Sequence, residues 1–215
     1  LGSVKEKPWA SSSAPMAWGL KADMPEVEQA TRLLKFPFLD KMLLKYEHGS
    51  ETRQFYEING YYVDSTFFQL FTYDFKYGNV LTALNEPNSI VLSETVADKL
   101  FAKEDPVGKP VNIGMPYGNF NYTVKGVFKD AGLKSHIPAR FFLSMRNGDV
   151  GTWVEQQTNW ATNNIFHTYI RLKAGTDLKS FEKKLQPFVD RRVGTDLKAM
   201  GVGKKLFTQP LKAIY

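Results

Sequence analysis

The sequence predicts an α+β fold in two lobes, and three observations carry that reading. Residues 25–63 read as helix–strand–strand–strand. Residues 165–214 read as strand–helix–strand. The stretch between them is mostly β, with two short helices. Helices and strands segregated in this way indicate α+β rather than an alternating parallel sheet. The last strand–helix–strand unit is expected to pack on the first strands. One lobe is then discontinuous, residues 21–60 with 165–215, around an inserted β-rich lobe at 61–164.

Leu1-Gly2-Ser3 reads as a cloning remnant, and residues 4–20 as an irregular lead-in rich in Ser, Ala and Pro. The basic start has no apolar core segment of the kind a signal peptide carries. Pro25 suits the first position of a short helix over Glu26 to Gln29, since its missing N–H costs nothing there. Thr31 to Phe36 reads as a strand closed by Pro37. Met42–Glu47 and Thr52–Val63 flank the turn-like His48-Gly49-Ser50-Glu51 and form a predicted hairpin. Asp64 is expected to cap the next short helix, with Val63 and Phe68 as its hydrophobic staple. Ser89–Leu92 reads as a strand, and Ser93 as the cap of a helix that buries Val96, Ala97, Leu100 and Phe101.

From 107 to 146 the pattern is antiparallel β: Val111/Ile113, then the alternation Phe120, Tyr122, Val124, Phe128, then Ile137–Met145. Residues 147–164 read as a polar connection or frayed helix. Ile165–Leu172 is a strand. Asp177 or Thr176 caps a helix with Leu178, Phe181, Leu185, Phe188 and Val189 on one face. Pro187 should kink that helix, and Gly194 should end it. Lys205–Ile214 is predicted as a last strand, bent near Pro210.

Composition excludes several classes of function. Of 215 residues, 43% are hydrophobic and 14% aromatic, too many for a disordered chain. There is no Cys, so thiolate metal sites, disulfides and cysteine nucleophiles are excluded. No run of about 18 apolar residues is present to span a membrane. The net charge of +6 is spread along the chain rather than gathered in a stripe, so nucleic acid is not an expected partner. His48, His136 and His167 share no ligand spacing, and no Gly-rich phosphate loop or Gly-x-Ser-x-Gly occurs. No catalytic, cofactor or metal constellation stands out. The four tryptophans, Trp9, Trp18, Trp153 and Trp160, are the candidates for a partner surface, against the alternative that they pack the lobes together.

One block is specific. It runs Tyr61-Tyr62-Val63-Asp64-Ser65-Thr66-Phe67-Phe68-Gln69-Leu70-Phe71, then Ala83-Leu84-Asn85-Glu86-Pro87-Asn88-Ser89-Ile90-Val91-Leu92-Ser93-Glu94, then Lys99-Leu100-Phe101 and Glu104-Asp105-Pro106-Val107-Gly108-Lys109. It resembles the MacB-like periplasmic core domain of FtsX-family ABC transporter permeases. Weaker pieces at Tyr122–Asp130, Ser135-His136-Ile137, Thr168–Leu172 and Gln209-Pro210-Leu211 extend the resemblance over residues 22–215. The chain departs from the family at Ala102, where Gly is usual, at Gly132-Leu133-Lys134, and at Tyr215.

The resemblance implies a porter-like lobe from both chain ends carrying an inserted lobe. It implies a periplasmic domain lying between two membrane helices of an inner-membrane permease, with no catalysis and no cofactor of its own. The implied partners are a cytoplasmic ATPase subunit reached through those membrane helices, and a periplasmic partner protein or export substrate. A dimer is implied in the full transporter. The alternative is an extracytoplasmic ligand-binding or sensor domain.

Overall fold

The computed structural model of the chain describes residues 10–130 and 135–214. Its helices are α1 (Met16–Asp23), α2 (Phe67–Leu70), α3 (Glu94–Phe101), α4 (Gly148–Glu155) and α5 (Leu178–Ala199). Its strands are β1 (Val27–Leu34), β2 (Lys41–His48), β3 (Glu51–Ile58), β4 (Gly60–Val63), β5 (Phe75–Gly78), β6 (Ser89–Ser93), β7 (Pro110–Met115), β8 (Gly118–Phe128), β9 (Phe141–Ser144) and β10 (Phe166–Leu172). The strands form one mixed sheet in the order β10-β1-β4-β9-β6-β8-β7-β2-β3, with β5 also paired to β8. The fold is α+β. β4 runs parallel to β9 and β6 parallel to β8, and the other pairings are antiparallel.

Period-two alternation sends neighbouring residues of the central strands to opposite faces. Leu34, Tyr62, Leu143 and Ile90 enter one core, which Val96 and Leu100 of α3 and Val150 and Val154 of α4 close. Leu33, Val63, Phe142 and Val91 enter the other, closed by Phe67 and Phe68 of α2. A third core joins the chain ends: Met16 and Leu20 of α1 pack with Phe181, Leu185, Phe188 and Val189 of α5 and with Val27 of β1.

Local signals hold where a side chain meets its own neighbourhood. Ser93 accepts from the Val96 N–H at 3.4 Å, and Asp177 from the Ser180 N–H at 2.9 Å. His48 pairs with Glu51 across a two-residue turn that places Gly49 at φ 60°. β1 and β10 pair over seven residues, so the first and last strands do pack together.

Other expectations are corrected. The helix precedes Pro25 rather than following it. Pro15 opens α1 inside the stretch expected to be irregular, and Pro25 lies in the turn before β1. The hairpin's second arm breaks at Asn59, whose φ of 58° redirects the chain. Tyr61–Val63 then leave the sheet edge for its centre. The hairpin itself sits beside β7, at the opposite end of the sheet from β1, so the expected break between residues 60 and 61 does not follow the pairing. Within 137–145, only Phe141–Ser144 is strand, and α4 occupies part of the polar connection. α5 includes Pro187 and runs past Gly194, because Val193 and Leu197 continue its buried stripe.

Residues 204–208 alternate half-buried and exposed as a strand would, yet no strand pairs with them. They lie along α5 instead. Gln186 Nε2 donates to the Lys204 carbonyl at 3.4 Å, and the Thr208 N–H donates to Glu182 Oε1 at 3.3 Å.

Ala102, which stands where the resembled family uses Gly, ends α3 at φ 57° and ψ −126°. A Cβ is disfavoured in that region, by about 1–3 kcal/mol. Ala102→Gly should therefore raise the unfolding free energy by about 1 kcal/mol, read as a higher urea midpoint at unchanged slope. A lower midpoint would show that Ala102 is unstrained.

Candidate functional site

The site grows from one buried cation. Arg32 lies mid-strand in β1 and is 9% exposed; Asp64, one residue after β4, is 7% exposed. The guanidinium meets the Asp64 carboxylate through two hydrogen bonds, Nε to Oδ2 at 3.0 Å and Nη2 to Oδ1 at 2.8 Å. The Arg32 backbone N–H adds a third at 2.7 Å. Asp64 is thus committed to Arg32 rather than capping α2, which starts at Phe67 without a side-chain cap.

The remaining edge of the guanidinium faces the chain's N-terminal segment. Nη1 donates to the Ala14 carbonyl at 3.1 Å. Two rings flank the cation, with centroids 5.5 Å (Trp18) and 5.7 Å (Phe166) from the guanidinium carbon. Aromatic faces and a planar, weakly hydrated cation are well matched. Trp153 of α4 stacks on Phe166 at 6.3 Å and 17°, and Phe36 lies 5.7 Å from Trp153. Arg32 thereby joins α1, β1, the end of β4 and β10, and Phe166 carries the contact on to α4.

α4 is itself tied to the sheet centre. Asp149 accepts from the Tyr62 hydroxyl at 3.0 Å and from the Tyr122 hydroxyl at 2.5 Å. Burial first, and then neighbouring charge, pushes both phenols above their ordinary range, so both remain protonated donors.

The tryptophans separate in space. Trp18 and Trp153 meet around Arg32 and Phe166. Trp160 lies on the other side of α1, edge-on to Phe188 at 6.0 Å, with the Arg192 guanidinium over it at 5.2 Å. Gly19 leaves room for that ring: a Cβ there would sit 2.1 Å from it. Trp9 lies outside the described residues. The three described tryptophans are half-buried: Trp18 lies by Arg32 of β1, Trp153 on Phe166 of β10, and Trp160 against α5. Arg32 and Asp64 were not among the sequence candidates. The only cue was Asp64 itself, whose position just before α2 read as a cap.

His136 and His167 come close enough to interact, and His136 Nε2 lies 3.2 Å from the Tyr169 hydroxyl. Burial, with His167 adding to it, holds the His136 pKa below its ordinary 6.5. On acidification the unfolded chain takes this proton first. The stability tied to neutral His136 is complete above about pH 6.5 and is lost as pH falls through that value toward the folded pKa. His136→Gln should flatten the fall in melting temperature between pH 7 and 5; an unchanged slope would refute this.

Among the described residues, no group of three or more His, Asp or Glu is placed to hold a metal, and no helix is long and apolar enough to cross a membrane. A depression of about 310 Å³ has Lys76, Glu94, Asp98 and Lys103 in its lining, and the Lys76–Glu94 ion pair lies in its wall.

The sequence matches the family model of the MacB-like periplasmic core domain over residues 3–188. The chain belongs to this family. It is a MacB-like periplasmic domain. Solved structures share the fold of this MacB-like domain. A permease-protein domain from Porphyromonas gingivalis has 23% identity and a TM-score of 0.69, with 98% of this chain and 90% of that one covered. The periplasmic region of MacB from Actinobacillus actinomycetemcomitans has 14% identity and a TM-score of 0.56, covering 93% and 87%. The extracellular domain of the noncanonic ABC-type transporter YknZ from Gram-positive bacteria has 16% identity and a TM-score of 0.52, covering 94% and 91%. Among curated proteins, none matches the sequence.

Proposed function

We propose that this domain is a non-catalytic coupling module. It carries conformational change between the membrane-embedded part of its permease and a periplasmic partner or export substrate. A cytoplasmic ATPase drives the cycle, and the permease works as a dimer. The observation that supports this reading most is the Arg32 junction. The N-terminal segment, β1, β10 and α4 meet at one buried ion pair and its flanking rings, and α5 packs on α1 and β1. Displacement of either chain end is then passed to the sheet rather than absorbed in a loose linker. Packed cores answer such displacement by moving as rigid bodies.

The test uses the full permease assembled with its ATPase. This domain has no Cys, so a single Ser50→Cys at the tip of the β2–β3 turn places one spin label per domain. Distances between labelled copies should shift between the nucleotide-free and ATP-bound states. Identical distance distributions in every nucleotide state would reject the coupling role.

A further inference from the structure

The C-terminal segment carries an exposed surface that neither the junction nor the cores use. Of 12 exposed large apolar side chains among the described residues, five fall within residues 200–214: Met200, Val202, Phe207, Leu211 and Ile214. That concentration marks a surface rather than scattered exposure. The segment is held in place while these side chains stay outside. Lys204 Nζ donates to the Trp160 carbonyl at 2.7 Å and to Asn164 Oδ1 at 2.9 Å, and Leu206 packs against α1 and α5. Lys204, Leu206 and Thr208 are half-buried, and the intervening Lys205 and Phe207 are exposed.

The charge on the last segment itself has one sign. Residues 197–215 contain Lys198, Lys204, Lys205 and Lys212 and no Asp or Glu. Among the described residues, Lys205 and Lys212 have no carboxylate within ion-pair reach. Nor do Lys179 and Lys183, which flank the Glu182 that holds Thr208. Several lysines elsewhere are paired, as in Lys45–Glu47, Lys99–Glu57, Lys109–Glu104 and Lys129–Asp74, whereas on this segment no lysine has a carboxylate partner among the described residues. Exposed apolar side chains set among unneutralised lysines match an anionic membrane surface. The apolar tips enter the headgroup boundary while the ammonium groups meet lipid phosphates.

We propose that residues 200–214, with the first turns of α5, form a docking surface for anionic phospholipid headgroups. On it the domain rests against the leaflet from which it emerges. This goes beyond the coupling role, which requires only that the chain ends be firmly joined to the sheet.

The domain is sedimented with vesicles of phosphatidylglycerol mixed with phosphatidylcholine, and with vesicles of phosphatidylcholine alone. It should pellet with the first and not the second, and added salt should release it. Lys205→Glu with Lys212→Glu should weaken binding by about tenfold or more. Phe207→Ser should weaken binding severalfold. Phe38→Ser, at an exposed apolar residue just before β2, should leave it unchanged, and circular dichroism checks that each variant is folded. Binding that is absent, equal on both vesicle types, or unaltered in the Lys205/Lys212 double variant would overturn the proposal. A failed vesicle test leaves the label-distance experiment untouched, so the two readings fail separately.

Discussion

Asp64→Ala should lower the unfolding free energy by about 3–5 kcal/mol, because it strands the buried Arg32 guanidinium without its carboxylate. The Ala14 carbonyl and two aromatic faces remain to the cation, but none of these neutralises it. Arg32→Leu strands the Asp64 carboxylate instead and should cost a similar amount. In a domain of this size such a loss lowers the melting temperature by about 6–20 °C. The double variant Arg32→Leu/Asp64→Leu should be less destabilised than the sum of the two singles, since each single leaves an unpaired buried charge that the double removes. Single-variant costs below about 1 kcal/mol would show that water reaches the pair, and the junction would lose its importance.

Phe142→Ala should cost about as much, 3–5 kcal/mol, for an unrelated reason. Phe142 in β9 is fully buried, and rings surround it: Phe67 at 4.8 Å, Tyr73 at 5.3 Å, Phe68 at 5.4 Å and Phe128 at 5.6 Å between centroids. These rings come from α2, β8 and the segment between α2 and β5. They are held by their own backbones and cannot collapse together into the space left behind. Phe142→Leu keeps most of the volume and should cost about 1.5 kcal/mol or less. Urea unfolding separates the cases. Equal losses for Ala and Leu would mean that ring geometry matters more than the cavity.

These two residues show how differently the sequence exposes its contents. Phe142 stands in the apolar run Phe141–Leu143, so its burial was legible from pattern alone. The importance of Arg32 was not, because its partner lies 32 positions away and β4 must first enter the sheet beside β1. Asp64 was misread for the same reason. A carboxylate just before a short helix is a good local cap, and a buried guanidinium outbids the helix for it. Trp18 and Trp153 were visible as aromatic anchors, but their meeting across Arg32 and Phe166 depends on the pairing of β10 with β1. The segment around Lys205 is the clearest division. It was read as a last strand, yet no strand pairs with it and it lies along α5 instead.

By itself, the sequence determined that this chain is α+β, that Ser93 starts one helix and Asp177 or Thr176 another, where the β2–β3 turn falls, and which residues are apolar enough to be core. It also carried the family, through the contiguous block from Tyr61 to Lys109. All of these depend on residues within a turn or two of one another, where backbone geometry and side-chain chemistry leave few alternatives. The order of strands in the sheet, the place of the hairpin beside β7, the ion pair at the junction and the bare cationic edge of the last segment were decided only by tertiary structure. They depend on which distant segments share a boundary, and strands of similar pattern are interchangeable until the whole sheet is assembled.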